Sequence, residues 1–349
     1  MKPKLKVALV GAGGIARGQH LPGWNQIADA EVVAIVDINA EAARAAATEF
    51  CVPQVFTDYR EMLKADVDIV DICTPNRLHT PVALAALKTG RHVLCEKPLA
   101  VTTAEVRQLG ELADRKGLKL MSAQHMRYLP VSGDIRQWAA TGALGEVYHA
   151  RVRAMRRALL PISPGFIDSR LSGGGPCMDI GVHALDACLW MMDFPKPVRV
   201  TGTMKTNFAK GHVIPGKWGE WDRSLFDVED FAAGFVHFEN GATMTLEAAW
   251  LGHQEEDEDL SFQLFGKGAG VYWPSGRYAS VVNGSFCQGT LSPAHAAASP
   301  HHQEIRAFFK SVADNEPSPV PWTETIRVIA ILEAIATSSR SGREIEIAL

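Results

Sequence analysis

The sequence predicts an α/β protein of two domains: a doubly wound parallel-sheet domain, then an α+β domain with a large, mainly antiparallel open sheet. Three observations support this fold class. Roughly the first 120 residues alternate short β-branched runs with alanine-rich helical stretches, which is typical of a parallel sheet with crossover helices. A glycine-rich turn follows the first run. After about residue 124, strand-like segments follow one another with turn signals between them.

The N-terminal domain, residues 1–123, is predicted to contain five strands and four helices. The strands are Lys6–Val10, Val32–Val36, Ile69–Cys73, His92–Glu96 and Lys119–Ser122. The helices are Ile15–Ala28, Ala40–Phe50, Thr80–Lys88 and Thr103–Lys116. Gly90 and Gly117 follow the last two helices, where a glycine commonly ends a helix.

The C-terminal domain, residues 124–349, is predicted to begin with a helix at Ile135–Thr141. Its strands are Glu146–Met155, Val198–Thr206, Asp230–Phe238, Thr243–Trp250 and Leu260–Phe265, and two late helices are Gln303–Ala313 and Glu324–Ser338. The turn signal Glu239-Asn240-Gly241 separates two of the strands. We expect the acidic run Glu255–Asp259 to be a solvated loop.

Composition and charge exclude several classes of partner. The 349 residues, 47% of them apolar, suffice for two cores, and the net charge of -4 provides no concentrated basic surface for a nucleic acid. No stretch approaches the roughly 18 apolar residues of a membrane span. The six cysteines form no C-x-x-C pair, which favours a reduced, cytoplasmic protein. We expect no metal site, and we expect His295, His301 and His302 to be loop residues.

The glycine-rich turn has the spacing of a dinucleotide-binding motif. Gly11-x-Gly13-x-x-Ala16 follows the first strand and opens the first helix, with Gly14 and Ile15 between. Gly11 suits the tight turn, Gly13 allows backbone N–H groups to approach a pyrophosphate, and Ala16 keeps the helix close to the sheet. The context therefore predicts a Rossmann domain rather than a simple strand-to-helix corner.

Asp37 follows the second strand, where a carboxylate accepts hydrogen bonds from the adenine ribose hydroxyls. The same charge repels a 2′-phosphate, so the sequence favours NAD over NADP. A surface aspartate is the simpler alternative.

Three further stretches carry residues suited to chemistry. Cys73–His79 and Cys95–Pro98 lie at carboxyl ends of predicted strands, where ligands of such sheets bind. In the third, Gly173–Asp186, a glycine-rich loop enters a helix on which Asp179 and His183 are four residues apart and share a face, with Asp186 on the same side. Taken singly, Lys97 is more typical of a surface lysine than of a functional one, and the Asp179–His183 pair is more typical of an ordinary helix face.

Together these stretches resemble the Gfo/Idh/MocA superfamily, named after glucose–fructose oxidoreductase, inositol dehydrogenase and rhizopine catabolism. The resemblance covers nearly the whole chain through the glycine turn, "CTPNRLH", "CEKPLA", "GGGPCMDIGVHALD" and "FDVEDFAAGFVHFENG". One departure is Ala16, where the glycine motif often ends in glycine.

The resemblance implies roles for individual residues. Lys97 corresponds to the lysine of the E-K-P motif beside the nicotinamide, and Asp179 with His183 to the D-x-x-x-H pair that faces the substrate. Residues on the cofactor side are Thr74, Pro75, Asn76, His79 and Glu96. In the implied hydride transfer, His183 accepts the hydroxyl proton, Lys97 stabilises the charge on the reacting oxygen, and Asp179 orients the substrate or the imidazole.

The implied substrates are sugars, glycosides or cyclitols. Tyr128, Arg153 and Arg156 are candidate substrate residues, with Arg151 and Arg157 on the same strand, although a solvated strand face explains two of the four arginines as well. Trp218 and Trp221 are equally suited to stacking on a pyranose ring or on a neighbouring subunit.

Two alternatives to a net dehydrogenase remain open. One is a glycosidase of the same superfamily, in which tightly bound NAD is recycled and Tyr128 or His125 supplies an extra acid or base. The other is a non-catalytic NAD-binding regulator. In either case we expect a homodimer or homotetramer, formed through a sheet face with apolar positions at Phe231, Phe235, Val236, Met244 and Leu246.

Overall fold

The computed structural model describes residues 3–211, 214–293 and 298–349. They form two compact units. The first unit comprises Met1–His125 and Ala298–Ile326, and the second comprises Met126–Ala297 and Arg327–Leu349. The sequence assigned residues 298–326 to the second domain, whereas the structure includes them in the first unit.

The first unit contains a six-stranded parallel sheet in the order β3-β2-β1-β4-β5-β6. Its strands are β1 (Leu5–Val10), β2 (Ala30–Val36), β3 (Gln54–Phe56), β4 (Ile69–Ile72), β5 (His92–Cys95) and β6 (Leu120–Ser122). The order reverses between β1 and β4, which makes the crevice where ligands of this fold bind. The sequence analysis missed β3, an edge strand of three residues with no buried side chain.

The helices of this part are α1 (Leu21–Asn25), α2 (Ala40–Glu49), α3 (Tyr59–Met62), α4 (His79–Lys88) and α5 (Thr103–Lys116). The predicted helix Ile15–Ala28 is instead a π-helical turn, Ala16–His20, followed by α1. Thr102 and Glu105 form a capping box at the start of α5, and Gly117 ends it with a φ of 64°, as its position in the sequence predicts.

The second unit contains a nine-stranded sheet in the order β14-β13-β12-β11-β7-β10-β9-β8-β15. Its strands are β7 (Val147–Arg156), β8 (Pro197–Lys205), β9 (Phe231–Phe238), β10 (Thr243–Ala249), β11 (Glu258–Gly266), β12 (Ala269–Trp273), β13 (Arg277–Val282), β14 (Ser285–Thr290) and β15 (Ile345–Glu346). Among the neighbouring strands of this sheet, only β7 and β10 run parallel to each other. The predicted, mainly antiparallel open sheet is therefore confirmed. Glu258 and Asp259 of the predicted acidic loop belong to β11.

The helices that follow are α6 (Pro130–Ala140), α7 (Pro164–Ile167), α8 (Ser169–Ser172) and α9 (Val182–Met191), then α10 (Pro300–Ala313) and α11 (Trp322–Ser341).

Side chains of the nine-stranded sheet alternate between a covered and an open face. Val236, Met244 and Leu246 are buried, whereas Phe235 is 37% exposed. The predicted apolar face therefore combined residues from both sides of the sheet: Phe231 and Phe235 share the open face, where Phe231 is half-buried and Phe235 is exposed.

Within the described part of the chain, no helix combines the length and the apolar character that crossing a bilayer requires. All six cysteines are free thiols.

Candidate active site

The glycine turn leaves open space where a phosphate would approach. Gly11 has a φ of 99°, and a Cβ there would lie 2.5 Å from the carbonyl oxygen of Cys73, so only glycine fits. A Cβ on Gly13 or Gly14 would meet no atom within 4 Å. Ile15 directly precedes the helical turn that starts at Ala16. The backbone N–H groups of this turn are therefore accessible to an anion.

Asp37 follows β2 and is held against the glycine turn. One carboxylate oxygen accepts a hydrogen bond of 2.8 Å from the backbone N–H of Ala12, and the other accepts one of 2.8 Å from Asn39. The next residue, Ile38, is 93% exposed. A fixed carboxylate and an open apolar side chain thus lie side by side at the end of β2.

The turn after β4 carries Thr74, Pro75 and Asn76, and it is tied to the turn after β5. His79 is fully buried, with Nδ1 2.7 Å from the Pro98 carbonyl oxygen and Nε2 2.8 Å from that of Thr74. Burial is the main factor that lowers the pKa of this ring. Because both ring nitrogens lie against backbone carbonyl oxygens, His79 links the two turns. The buried Thr74 hydroxyl has no hydrogen-bonding partner among the described residues.

A buried ionic network lies behind Lys97. His20 places Nδ1 2.8 Å from Asp71 and Nε2 3.0 Å from Glu96, and the other oxygen of Glu96 accepts 2.9 Å from the Lys97 backbone N–H. Burial opposes charge on His20, but Asp71 outweighs it and raises the pKa of His20 well above its ordinary value. Burial likewise opposes charge on Glu96, but His20 lowers the pKa of Glu96 to about 2. The network thus connects the turn that carries Lys97 to the helical turn Ala16–His20, which follows the glycine turn.

His301 and His302 lie on α10, not in a loop as predicted, because Ser299-Pro300 starts a helix there. His295 falls outside the described residues. The rings of His301 and His125 stack with centroids 3.9 Å apart, and Glu304 lies close enough for the three to be candidate metal ligands. Burial is the main factor that lowers the pKa of His125 to about 3 and that of His301 to about 4. The nitrogen lone pairs of two stacked rings lie in separate planes, so the two rings do not suit one metal ion. The expectation that the protein has no metal site stays a prediction.

In the second unit, a glycine-rich loop enters the segment that carries Asp179 and His183. This segment is a π-helical turn, Cys177–Gly181, continued by α9; such turns are frequent at functional sites. Glu229 accepts hydrogen bonds from the backbone N–H groups of Gly175, at 2.9 Å, and Cys177, at 3.3 Å. A Cβ on Gly175 would lie 2.0 Å from the Glu229 carbonyl oxygen, so this glycine is required for the close approach.

The Asp179 carboxylate is oriented by two side chains. Trp250 donates its indole N–H at 3.0 Å, and Arg156 lies 3.7 Å away. Asp179 and His183 are each 8% exposed. The arrangement holds a nearly buried carboxylate one helical turn from an imidazole.

Other candidates have different positions. Asp186 is buried in a two-point ion pair with Arg127, both contacts 2.7 Å, and therefore stabilises the fold. Strand alternation places Arg153 and Arg156 on opposite faces of the sheet. Arg153 pairs with Asp259 at 2.6 Å, and its role at the substrate stays a prediction. Tyr128 ends a short 3₁₀ turn and is half-buried.

Sequence reasoning missed Trp250, Glu229, His20 and Ile38. Glu229 belongs to the quoted "FDVEDF" stretch, and Trp250 ends a predicted strand, but neither position is close in sequence to the residue that it supports.

Comparisons with known proteins find matches over both parts of the chain. Residues 5–124 match the model for the GFO_IDH_MocA oxidoreductase family with an NAD-binding Rossmann fold, and residues 133–272 match the GFO/IDH/MocA C-terminal domain. A D-glucoside 3-dehydrogenase of Escherichia coli (strain K12) is 31% identical over 347 residues, which cover 98% of this chain and 97% of that protein.

Two solved structures are similar over nearly their full length. Levoglucosan dehydrogenase in complex with NADH superposes with a TM-score of 0.86 at 22% identity and covers 99% of both chains. GenD2 from gentamicin A biosynthesis, in complex with NAD, superposes with a TM-score of 0.83 at 26% identity and covers 100% of this chain and 98% of its own.

Proposed function

Because the chain belongs to the Gfo/Idh/MocA family of oxidoreductases with an NAD-binding Rossmann fold, we propose that it is an NAD-dependent dehydrogenase of a sugar ring hydroxyl, with glycosides as the preferred substrates and cyclitols as the alternative. The observation that carries this proposal is the Asp179 carboxylate, fixed by Trp250 and Arg156 one helical turn from His183. Similarity to a D-glucoside 3-dehydrogenase supports the substrate class.

The residues of the first unit fit NAD. The open space at Gly13 and Gly14 suits the pyrophosphate, Asp37 suits the ribose hydroxyls, and the exposed Ile38 suits a face of the adenine ring. The Thr74 hydroxyl is a buried polar group that a ligand would satisfy. Since the Asp37 carboxylate would repel a 2′-phosphate, we propose NAD rather than NADP.

Each catalytic residue acts on one atom of the substrate. NAD, when bound, supplies the hydride acceptor. His183 accepts the proton of the hydroxyl group that is oxidised, and Lys97 donates a hydrogen bond from Nζ to the same oxygen as its negative charge develops. Asp179 binds a neighbouring hydroxyl or orients the imidazole. In the reverse direction His183 returns the proton.

A glycosidase with recycled NAD is less well supported. It needs a further acid or base, for which the sequence offers Tyr128 or His125. The pKa of His125 is about 3, so the ring is a weak proton acceptor at neutral pH.

We further propose that the protein is a cytoplasmic homo-oligomer. The free state of all six cysteines supports a reducing compartment. The exposed Phe235 and the half-exposed Tyr148 on the sheet support association through its open face.

The test uses purified protein with NAD and a panel of free sugars, inositols and 4-nitrophenyl glycosides. NADH absorbance and nitrophenol release are followed in the same wells. We expect NADH to accumulate with glycosides and no nitrophenol to be released. Nitrophenol release that depends on NAD but leaves no NADH would replace the dehydrogenase with the glycosidase, and no reaction with any compound would contradict both.

A further inference from the structure

The two tryptophans of the segment 216–221 have different surroundings. Trp221 is 5% exposed, donates its indole N–H to the Ala209 carbonyl oxygen at 2.8 Å, and has the Arg223 guanidinium 4.4 Å from its ring centroid. Trp218 is 48% exposed. The first is part of the core, whereas the second presents a large aromatic surface to solvent.

The exposed indole lies close to the catalytic carboxylate. The Arg156 guanidinium is 5.0 Å from the Trp218 ring centroid, and the same group lies 3.7 Å from Asp179 and 2.6 Å from Glu258. One planar cation thus connects Trp218 with Asp179. The distances from Arg156 to the indole and to Asp179 are similar to the distances between neighbouring groups of one small molecule. A ligand that binds Asp179 therefore lies within reach of the indole.

The surroundings add an apolar wall and fix the chain. Ile162 is 40% exposed, and its Cδ1 lies 3.7 Å from the place that a Cβ on Gly219 would take. The Lys217 backbone N–H donates 2.8 Å to the Ala158 carbonyl oxygen, and its ammonium pairs with Asp257 at 2.5 Å. Two exposed apolar side chains, Trp218 and Ile162, therefore lie at a segment that Lys217 anchors before Trp218 and Trp221 anchors after it.

We propose that Trp218, with Arg156 and Ile162, forms a subsite for the aglycone of a glycoside, namely a flat-faced ring carried on the oxidised sugar. Aromatic faces bind the C–H face of a pyranose or an aryl ring through apolar contact and offset stacking. The Arg156 guanidinium aligns the indole and donates hydrogen bonds to the glycosidic or ring oxygens. This inference rests on the proposed function and narrows its substrate class from glycosides in general to those with a flat-faced aglycone.

The experiment compares methyl β-D-glucoside with phenyl β-D-glucoside in the full chain with NAD. We expect the unchanged protein to prefer the phenyl glycoside by about tenfold in kcat/KM. Trp218→Ala should lose that preference, because it removes the ring on which the phenyl group stacks. Trp218→Phe, which keeps an aromatic face, should retain most of it. Phe286→Ala, which removes another exposed aromatic ring, is the control and should leave both values unchanged.

Binding measurements separate failure of the subsite from failure of the proposed function. Calorimetry of both glycosides needs no turnover, so it tests the subsite even if neither compound is oxidised. Equal affinities in the unchanged protein, or an unaltered affinity ratio in Trp218→Ala, would overturn the proposal. A fall in the mass of the protein in solution on Trp218→Ala, with the glycoside preference intact, would instead assign the indole to a contact between copies of the chain.

Discussion

Lys97 and His183 have distinct tasks at the same oxygen in the proposed reaction, and replacing either should slow the chemical step without removing the cofactor. We expect Lys97→Met and His183→Ala each to lower the single-turnover rate of NADH formation at least about 100-fold. NAD affinity, measured by calorimetry, should stay within a few-fold because neither change touches Gly11, Gly13 or Asp37. Turnover close to that of the unchanged protein in either variant would remove that residue from the mechanism.

In the proposed reaction Trp250 acts through Asp179. Trp250→Phe keeps an aromatic ring but removes the N–H from which the buried carboxylate accepts a hydrogen bond of 3.0 Å, and a hydrogen bond to a charged group is worth about 1.5–3 kcal/mol. We expect kcat to fall roughly tenfold, because the carboxylate loses a donor that orients it.

The matched control for this change is Trp273→Phe. Trp273 is also buried and donates its indole N–H, at 2.8 Å, but to Ser132. It should alter stability while leaving kcat close to that of the unchanged protein. An equal fall of kcat in both variants would show that Trp250 has only a general structural role.

At the scale of elements, the close approach of Gly175 to Glu229 determines how the catalytic helix begins. A Cβ at Gly175 would lie 2.0 Å from a carbonyl oxygen, so Gly175→Ala must displace backbone and disturb the hydrogen bonds that Glu229 accepts. We expect the thermal midpoint of unfolding to fall by several degrees, and kcat to fall with it.

Gly133→Ala provides the comparison for this prediction. Gly133 lies inside α6, and a Cβ there would meet nothing within 4 Å. Alanine should therefore stabilise this helix by roughly 0.5–1 kcal/mol. If the two substitutions have the same effect on the melting temperature, the contact at Gly175 is not rigid.

At the scale of the whole molecule, the half-buried His125 makes stability depend on pH. Its pKa of about 3 lies below the ordinary value of 6.5, so below pH 6.5 the unfolded chain binds a proton that the folded chain does not. Stability therefore falls as pH is lowered from about 6.5 toward 3, by up to about 1.4 kcal/mol per pH unit from this residue. His125→Asn should reduce the slope of unfolding free energy against pH by that amount. An identical slope in both proteins would contradict the assignment.

Assembly is the second property of the whole molecule. If copies associate through the open face of the nine-stranded sheet, Phe235→Asp should convert the oligomer to a smaller species in light scattering, because a charge replaces an exposed aromatic ring there. Phe286→Asp, which changes an exposed ring on β14, should leave the mass unchanged. A monomeric mass in the unchanged protein would contradict the proposed oligomer.

The sequence by itself determined most of the elements of the first domain and their order along the chain. Hydrophobic periodicity located five of the six parallel strands, and the turn at Gly11–Ala16 and the position of Asp37 followed from local backbone rules. It failed at β3 and at β12–β15. The strands β3, β13, β14 and β15 are short or have many exposed side chains, so burial imposes no strong pattern on their sequences. In β12 the side chains alternate between buried and more accessible positions, but Gly270 interrupts the apolar pattern.

Only the tertiary structure decided which of the candidate side chains support one another. Trp250 on Asp179, Glu229 on Gly175 and His20 on Glu96 are separated by 71, 54 and 76 residues respectively, and no local periodicity relates such positions. The same holds for the separation of Arg153 from Arg156 and of Trp218 from Trp221. Whether such a side chain faces the core, the site or solvent depends on the elements packed around it. The sequence thus determined the parts and their local chemistry, while long-range packing determined their partners.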